Sequence, residues 1–197
     1  MNLPQKKNLY WILGFVALIW VIEFINFSTG HRFSDWGILP RTLKGLKGIP
    51  LSPFLHASLI HIMMNTIPLA VLGGFVILNG RQIFFEITII IILVSGTALW
   101  LFGRSSYHVG ASGLIFGYFG YLVLRAWYDR SLKSFVIAFV TVFLYGGIIW
   151  GLLPTFSRIS WEGHLFGLLA GILAARLEKK RIRDWGRFAW MLQITLQ

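Results

Sequence analysis

Apolar residues along this chain fall into six long runs separated by short polar stretches. The runs extend approximately over residues 9–27, 54–78, 83–102, 112–127, 135–153 and 162–177. A helix needs about 20 residues to cross a bilayer, and the length of each run is close to this number. Because hydrocarbon offers the backbone no water partners, a crossing segment must satisfy its own polar groups as a helix. The pattern therefore predicts an all-α, polytopic membrane protein with a bundle of six transmembrane helices.

The polar stretches are brief, apart from one long loop and the tail. Residues 28–52 form a loop that mixes basic residues with apolar ones such as Phe33 and Trp36, and we expect it to lie partly in the membrane interface. Residues 179–197 are basic and then aromatic, which is typical of an amphipathic helix on a membrane surface. The sequence thus predicts a membrane domain over residues 1–178 and a basic amphipathic tail over 179–197.

Composition supports a membrane protein and argues against a nucleic-acid partner. Charged residues make up 13% of the chain, against about 25% in soluble proteins. The formal net charge of +11 would suit nucleic-acid binding, but the chain has no basic, aromatic-interleaved binding module. Contact with anionic membrane lipid accounts for the same charge. The absence of cysteine excludes disulfides, thiolate metal sites and a cysteine nucleophile.

The basic residues also predict an orientation. With six spans both termini share one side, and that side holds two thirds of the 18 Lys and Arg residues. Basic residues concentrate on the cytoplasmic side of membrane proteins. We therefore expect cytoplasmic termini in the plasma (inner) membrane, although the first external loop is itself basic.

Four polar residues within the runs lie at one predicted depth. His61 and Asn65 come early in the second run, Ser112 begins the fourth, and His164 begins the sixth. Polar groups inside a membrane are costly and indicate function. In the predicted orientation all four lie near the outer face. We expect a polar cavity there that admits water, walled by the second, fourth, fifth and sixth runs.

Ser112 lies between glycines in the segment Gly110-Ala-Ser112-Gly113. These glycines leave its hydroxyl unobstructed and let another backbone approach. The alternative interpretation is helix packing, because small residues recur at Gly113, Gly117 and Gly120. Both interpretations can hold, since a glycine face brings the fourth helix close to a neighbour.

The sixth run supplies that neighbour. Gly163, Gly167 and Gly171 recur every four residues and form a second small-residue face. If the two faces pack together, His164 reaches Ser112. A lone histidine at a helix start is otherwise often a structural residue with a hydrogen bond.

A serine and a histidine in contact can carry out nucleophilic catalysis. The imidazole takes the proton of the serine hydroxyl, which is otherwise a poor nucleophile, and then protonates the leaving amine. No Asp or Glu is placed to orient the ring, so the sequence predicts a dyad of Ser112 and His164. Phe116, one turn after Ser112, is expected to pack on the imidazole.

Developing charge on the substrate carbonyl also needs hydrogen-bond donors. His61 and Asn65 share one helix face and can donate, together with the Ser112 N–H. The alternative is that these side chains make ordinary interhelical hydrogen bonds. His56 is expected to brace the helix start, and His108 to serve loop structure.

Three segments in this order resemble the rhomboid proteases. They are His56-Ala-Ser-Leu-Ile-His61-Ile-Met-Met-Asn65, Gly110-Ala-Ser112-Gly113, and Gly163-His164-Leu-Phe-Gly167-Leu-Leu-Ala-Gly171. The resemblance covers roughly residues 50–178 and implies a six-helix rhomboid-like bundle. Two features depart from the family: the Trp-Arg pair that many members carry in the first external loop is missing, and Phe116 replaces a tyrosine found in some.

The resemblance implies a function and roles for the residues. It implies an intramembrane serine endopeptidase that cleaves single-pass transmembrane proteins without metal or cofactor, its active site opening to the outer side. Catalytically inactive relatives that bind or escort membrane clients are the alternative, and a dyad alone leaves an acyltransferase open. The implied nucleophile is Ser112 and the base is His164. The implied oxyanion donors are Asn65, His61 and the Ser112 amide, and His56 is implied to be structural. With the residues argued above from packing, the predicted supporting set is His56, Gly110, Gly113, Phe116, Gly167 and Gly171.

Overall fold

The described part of the protein consists of helices and the loops that connect them. The computed structural model describes the backbone of residues 3–154 and 160–195, and the side chains of residues 8–154 and 160–179. The predicted all-α class is confirmed, since those residues form no strand and only an isolated bridge between Ile38 and His108. The helices are α1 (Leu3–Ser28), α2 (Leu43–Leu46), α3 (Gly48–Leu51), α4 (Leu59–Ile77), α5 (Arg81–Phe102), α6 (Ser112–Asp129), α7 (Leu132–Tyr145) and α8 (Trp161–Thr195), with 3₁₀ turns at Arg32–Trp36, Ser52–Phe54 and Gly146–Leu152.

Four segments of the described chain are long and apolar enough to cross a membrane. They are Asn8–Ser28, Leu59–Ile77, Arg81–Phe102 and Leu132–Leu152. The helices α6 and α8 fall short of that standard, because α6 carries Arg125 and Asp129 and α8 continues into a charged stretch. Every residue from Leu114 to Leu122 in α6 is buried in protein, so this helix has less need of lipid-compatible side chains. The count of six spans stays a prediction.

Two predicted boundaries differ from the helices observed. The helix α4 begins at Leu59 and not near residue 54, because the Ser58 side chain accepts a hydrogen bond from the His61 N–H and caps the helix there. His56 therefore precedes the helix. At the other end α8 runs without interruption past the predicted domain boundary at residue 178. The side chains on which the predicted amphipathic character of the tail depends lie outside the described residues.

The central contact of the fold joins α6 to α8 through glycines. A Cβ on Gly167 would overlap the carbonyl oxygen of Gly113, and a Cβ on Gly171 would overlap that of Gly117. A Cβ on Gly113 would lie 3.3 Å from the Gly163 oxygen. The predicted packing of the two small-residue faces is thus confirmed. It sets the starts of both helices side by side.

The first helix anchors the long loop and the segment before α4. The fully buried Asn26 donates from Nδ2 to the His56 carbonyl oxygen at 3.1 Å, and its Oδ1 accepts from the Phe33 N–H at 2.9 Å. A second buried polar group, Glu23, places Oε1 3.5 Å from His31 Nδ1. These contacts fix the position from which His56 approaches the site.

At the far end of α6 from Ser112, a buried polar network ties three helices together. The Glu178 carboxylate on α8 accepts from the Tyr121 hydroxyl at 2.7 Å and from Arg125 Nε at 3.2 Å. Arg125 Nη1 also donates to Ser134 Oγ on α7 at 2.8 Å. Because Arg125 bonds to both neighbours, α7 and α8 are held to α6 at this end.

Candidate active site

The turn before α6 has a backbone shape that requires glycine. Gly110 has φ of +121°, and a Cβ there would also lie 2.6 Å from the His61 ring. Its N–H donates to the Ser52 carbonyl oxygen at 2.9 Å. The next residue, Ala111, donates its N–H to His56 Nε2 at 3.4 Å. The turn that delivers Ser112 is thus held by Ser52 and His56, which both lie in the stretch between α3 and α4.

Ser112 is the first residue of α6 and is half-buried. It lines a cavity of about 40 Å³, which has room for a few water molecules at about 10–15 Å³ each. A cavity therefore lies beside Ser112, but among the described residues His61, Asn65 and His164 do not line it. Its walls differ from the prediction, because the third run (α5) forms one side with Ser95 and Gly96, whereas the second and fifth runs contribute nothing to the lining. The remaining polar lining comes from Ser52, His108 and Ser160.

The His164 ring is fixed by two contacts. It stacks on the Phe116 ring, with centroids 4.2 Å apart and planes at 8°, as the sequence predicted. Its Nδ1 lies 2.8 Å from the carbonyl oxygen of Gly151. Because a carbonyl only accepts, Nδ1 must carry the hydrogen, and in the neutral ring Nε2 then keeps a free lone pair. The ring is therefore held in the tautomer whose Nε2 can take a proton.

Ser112 and His164 begin adjacent helices at the same level. Gly113, which follows Ser112, lies against both Gly163 and Gly167, the glycines on either side of His164 along α8. The described side chains show no hydrogen bond between the Ser112 hydroxyl and the imidazole. Catalytic hydrogen bonds in substrate-free proteins often tighten only when substrate binds. The glycine contacts therefore place Ser112 and His164 at the starts of two neighbouring helices.

The structure brings the predicted donors to the same turn. Asn65 is buried and its Nδ2 lies 3.8 Å from the position of a Cβ on Gly110. The Asn65 Nδ2 donates one hydrogen to the His61 carbonyl oxygen at 3.0 Å. An amide nitrogen carries two hydrogens, so one remains for another acceptor. The His61 ring packs edge-on against His56 with centroids 5.0 Å apart.

A buried link between His108 and Ser160 was not predicted. His108 Nε2 lies 3.0 Å from the Arg104 carbonyl oxygen and Nδ1 lies 2.7 Å from Ser160 Oγ. Ser160 Oγ in turn accepts from the Gly163 N–H at 3.2 Å and caps α8. Burial lowers the pKa of His108 below its ordinary value. The link ties the loop before Ser112 to the start of the helix that carries His164, and its only sequence signal was a histidine close to the Gly110 turn.

Comparisons with known proteins agree with the resemblance of the three segments. The model of the rhomboid domain matches residues 46–181, which is more than half of the chain. A protein of Acanthamoeba polyphaga mimivirus named as a rhomboid protein is 28% identical over 127 residues, covering 61% of this chain and 68% of the relative.

More similar relatives come from mycobacteria. An uncharacterized protein of Mycobacterium tuberculosis is 41% identical over 175 residues, covering 84% of this chain and 73% of the relative. One of Mycobacterium leprae is 35% identical over 203 residues, covering 90% and 80%. The apolar helices, together with a family match over most of the α4–α8 region, identify an integral membrane protein. This chain belongs to the rhomboid family.

Proposed function

We propose that this chain is an intramembrane serine endopeptidase that cleaves transmembrane segments of other membrane proteins with a dyad of Ser112 and His164. The observation that carries the proposal is the fixed imidazole. Phe116 and the Gly151 carbonyl hold the His164 ring with Nε2 free. The helix that carries His164 packs against Gly113, next to Ser112.

The first half of the reaction forms an acyl-enzyme. His164 Nε2 takes the proton of the Ser112 hydroxyl as Oγ attacks the scissile carbonyl carbon. The imidazolium keeps its Nδ1–H bond to Gly151, so the ring does not turn between steps. It then protonates the leaving amine, and the peptide bond breaks.

The second half releases the acyl group with water. The cavity of about 40 Å³ beside Ser112 supplies a place for that water within the protein. His164 acts again as the base while the water attacks the ester carbon, and the proton returns to Ser112 Oγ as the ester bond breaks.

The tetrahedral intermediates need donors for their oxyanion. The proposed donors are the second amide hydrogen of Asn65, the His61 ring and the Ser112 N–H. The backbone N–H of Ser112 has no intrahelical acceptor, because Ser112 is the first residue of α6. Preorganised donors of this kind contribute about 10²–10³ each to the rate in other serine proteases.

The proposed substrates are single-pass transmembrane proteins, cleaved from a site that opens to the outer side of the plasma (inner) membrane while both termini are cytoplasmic. Membership of the rhomboid family supports this proposal. The placement of His61, Asn65, Ser112 and His164 at one end of the bundle supports it as well.

A fluorophosphonate probe tests whether Ser112 is activated. We expect the purified protein to be labelled, and labelling to be lost in Ser112→Ala and His164→Ala, since removing either member of such a pair costs about 10⁶ in subtilisin. Ser95→Ala is the matched control. Ser95 lines the same cavity and donates to the Ile91 carbonyl oxygen at 2.6 Å, so labelling should persist there.

Cleavage of a model transmembrane substrate should follow the labelling in each variant. Labelling that persists in Ser112→Ala would assign the activated group to another residue. An unlabelled native protein that still binds membrane clients would instead support the alternative function, that of an inactive rhomboid-like protein.

A further inference from the structure

Exposed cations and hydroxyls gather where the long loop meets the segment between α5 and α6. We call this group the basic patch, and it consists of Arg41, Lys44, Ser105, Ser106 and Tyr107, all exposed. Arg41 donates to the Gly103 carbonyl oxygen at 2.7 Å and to Ser105 Oγ at 3.1 Å. Lys44 Nζ lies 2.9 Å from the Tyr107 hydroxyl. The two cations are thereby held over one short segment.

The charges of the basic patch are not neutralised by the protein. Both cations bond to neutral oxygens, and among the described residues neither Arg41 nor Lys44 forms an ion pair. The hydrogen bond to Tyr107 is the main cause that raises the pKa of Lys44, and the charge of Asp35 raises it less. Two positive charges with neighbouring hydroxyl donors therefore remain available to an external anion.

Exposed apolar residues adjoin the residues of the basic patch along the chain. Leu43, next to Lys44, is 86% exposed, and Phe102 at the end of α5 is 70% exposed. Leu101 is exposed as well, and its carbonyl oxygen is a further acceptor for Arg41. Cations directly beside exposed apolar side chains are the arrangement that suits the boundary between lipid headgroups and acyl chains.

We propose that the basic patch binds the phosphodiester headgroup of an anionic phospholipid, with Leu43 and Phe102 against its acyl chains. Arg41 offers phosphate oxygens its charge and the N–H donors that Leu101, Gly103 and Ser105 leave unused. Lys44 adds a point charge. The exposed hydroxyls of Ser105 and Ser106 add uncharged donors. The apolar rim favours a lipid over a soluble anion. This inference goes beyond the proposed proteolysis and does not depend on it.

Native mass spectrometry of the full chain in detergent, titrated with phosphatidylglycerol and phosphatidylcholine, tests the proposal. We expect the first phosphatidylglycerol to bind more tightly than phosphatidylcholine. Lys44→Gln should weaken its binding about 5-fold, the effect of one basic residue at an anionic surface, and Lys44→Arg should restore it. Lys133→Gln is the matched control, because Lys133 also donates to a neutral oxygen, that of Leu78 at 2.9 Å, away from the basic patch.

Three results would overturn the proposal. Equal affinity for the two lipids would show that the charge of the headgroup does not determine binding. An equal loss in Lys133→Gln would show a general effect of net charge. Displacement of the lipid by millimolar inorganic phosphate would show a site for soluble anions. Since Lys44 is exposed, unchanged thermal unfolding of Lys44→Gln should accompany the measurements.

Discussion

At His164 a backbone carbonyl stands where soluble serine proteases of the triad type place a carboxylate. The carbonyl sets the tautomer and the ring plane but brings no negative charge. A carboxylate buried there would carry a large desolvation cost unless it were fully paired. The proposed dyad, with its imidazole oriented by the Gly151 carbonyl, avoids that cost.

The sequence predicts the position of some site residues and not of others. Phe116 was predicted because it lies four residues after Ser112, on the same face of one helix. Gly151 was not, because a backbone carbonyl leaves no mark in the sequence and its position depends on the 3₁₀ turn at Gly146–Leu152. The link from His108 to Ser160 was missed for a related reason, since the two residues are 52 positions apart.

His56 should make stability depend on pH. Burial, with a smaller effect of His61, lowers the pKa of His56 to about 3, and its Nε2 must stay unprotonated to accept from Ala111. The unfolded side chain has a pKa of about 6.5. Below that pH the unfolded state takes up a proton that the native state does not, so stability falls from pH 6.5 towards pH 3.

Thermal unfolding in detergent between pH 4 and 7.5 measures this effect. His56→Gln should be less stable at pH 7.5 but should lose less stability on acidification. A variant whose melting temperature falls with pH as steeply as the native protein would exclude His56 as the cause.

At the scale of elements, the contact between α6 and α8 was predictable and the ends of helices were not. Glycines spaced four apart are visible in the sequence, and close helix contact follows from their size. The start of α4 depends on the Ser58 cap. Because Ser58 lies inside an apolar run, the sequence pattern does not mark it as the beginning of a helix. The continuity of α8 past residue 178 likewise has no apolar signal.

Gly171→Ala should destabilise the contact between α6 and α8. The added methyl would overlap the Gly117 carbonyl oxygen, and overpacking of this kind costs about 1–3 kcal/mol. Gly74→Ala on α4 is the control, because a Cβ there meets nothing within 4 Å and alanine is favoured by about 0.5–1 kcal/mol within a helix. Melting temperatures should fall for the first variant and hold or rise for the second. Equal shifts would contradict the proposed role of the glycine contact.

At the scale of the whole molecule, α6 lies at the centre and is wrapped by protein. Among the described residues, length and hydropathy identify four segments that could cross a membrane, and α6 is not one of them because it carries glycine, tyrosine and charge where its neighbours cover it. The sequence pattern predicted six by counting apolar runs. The orientation is predicted from the basic residues and not from packing, and it can be measured directly.

Cysteine labelling in intact cells measures that orientation. The chain contains no cysteine, so Ser112→Cys introduces the only thiol. We expect it to react with a small membrane-impermeant thiol reagent added outside, because Ser112 lines the cavity. Lys133→Cys, at the other end of the bundle, should react only after lysis. The reverse pattern would invert the predicted orientation.

The part of the chain that the rhomboid domain model matches and the part that folds together have different beginnings. The family match starts at residue 46, yet Asn26 in α1 holds the carbonyl of His56, and Ile12 and Ile19 of α1 belong to the core. An evolutionary comparison restricted to the matched region would therefore omit the helix that fixes one support of the Ser112 turn. Substitutions in α1 should therefore be constrained together with those around His56, although only the second segment lies within residues 46–181.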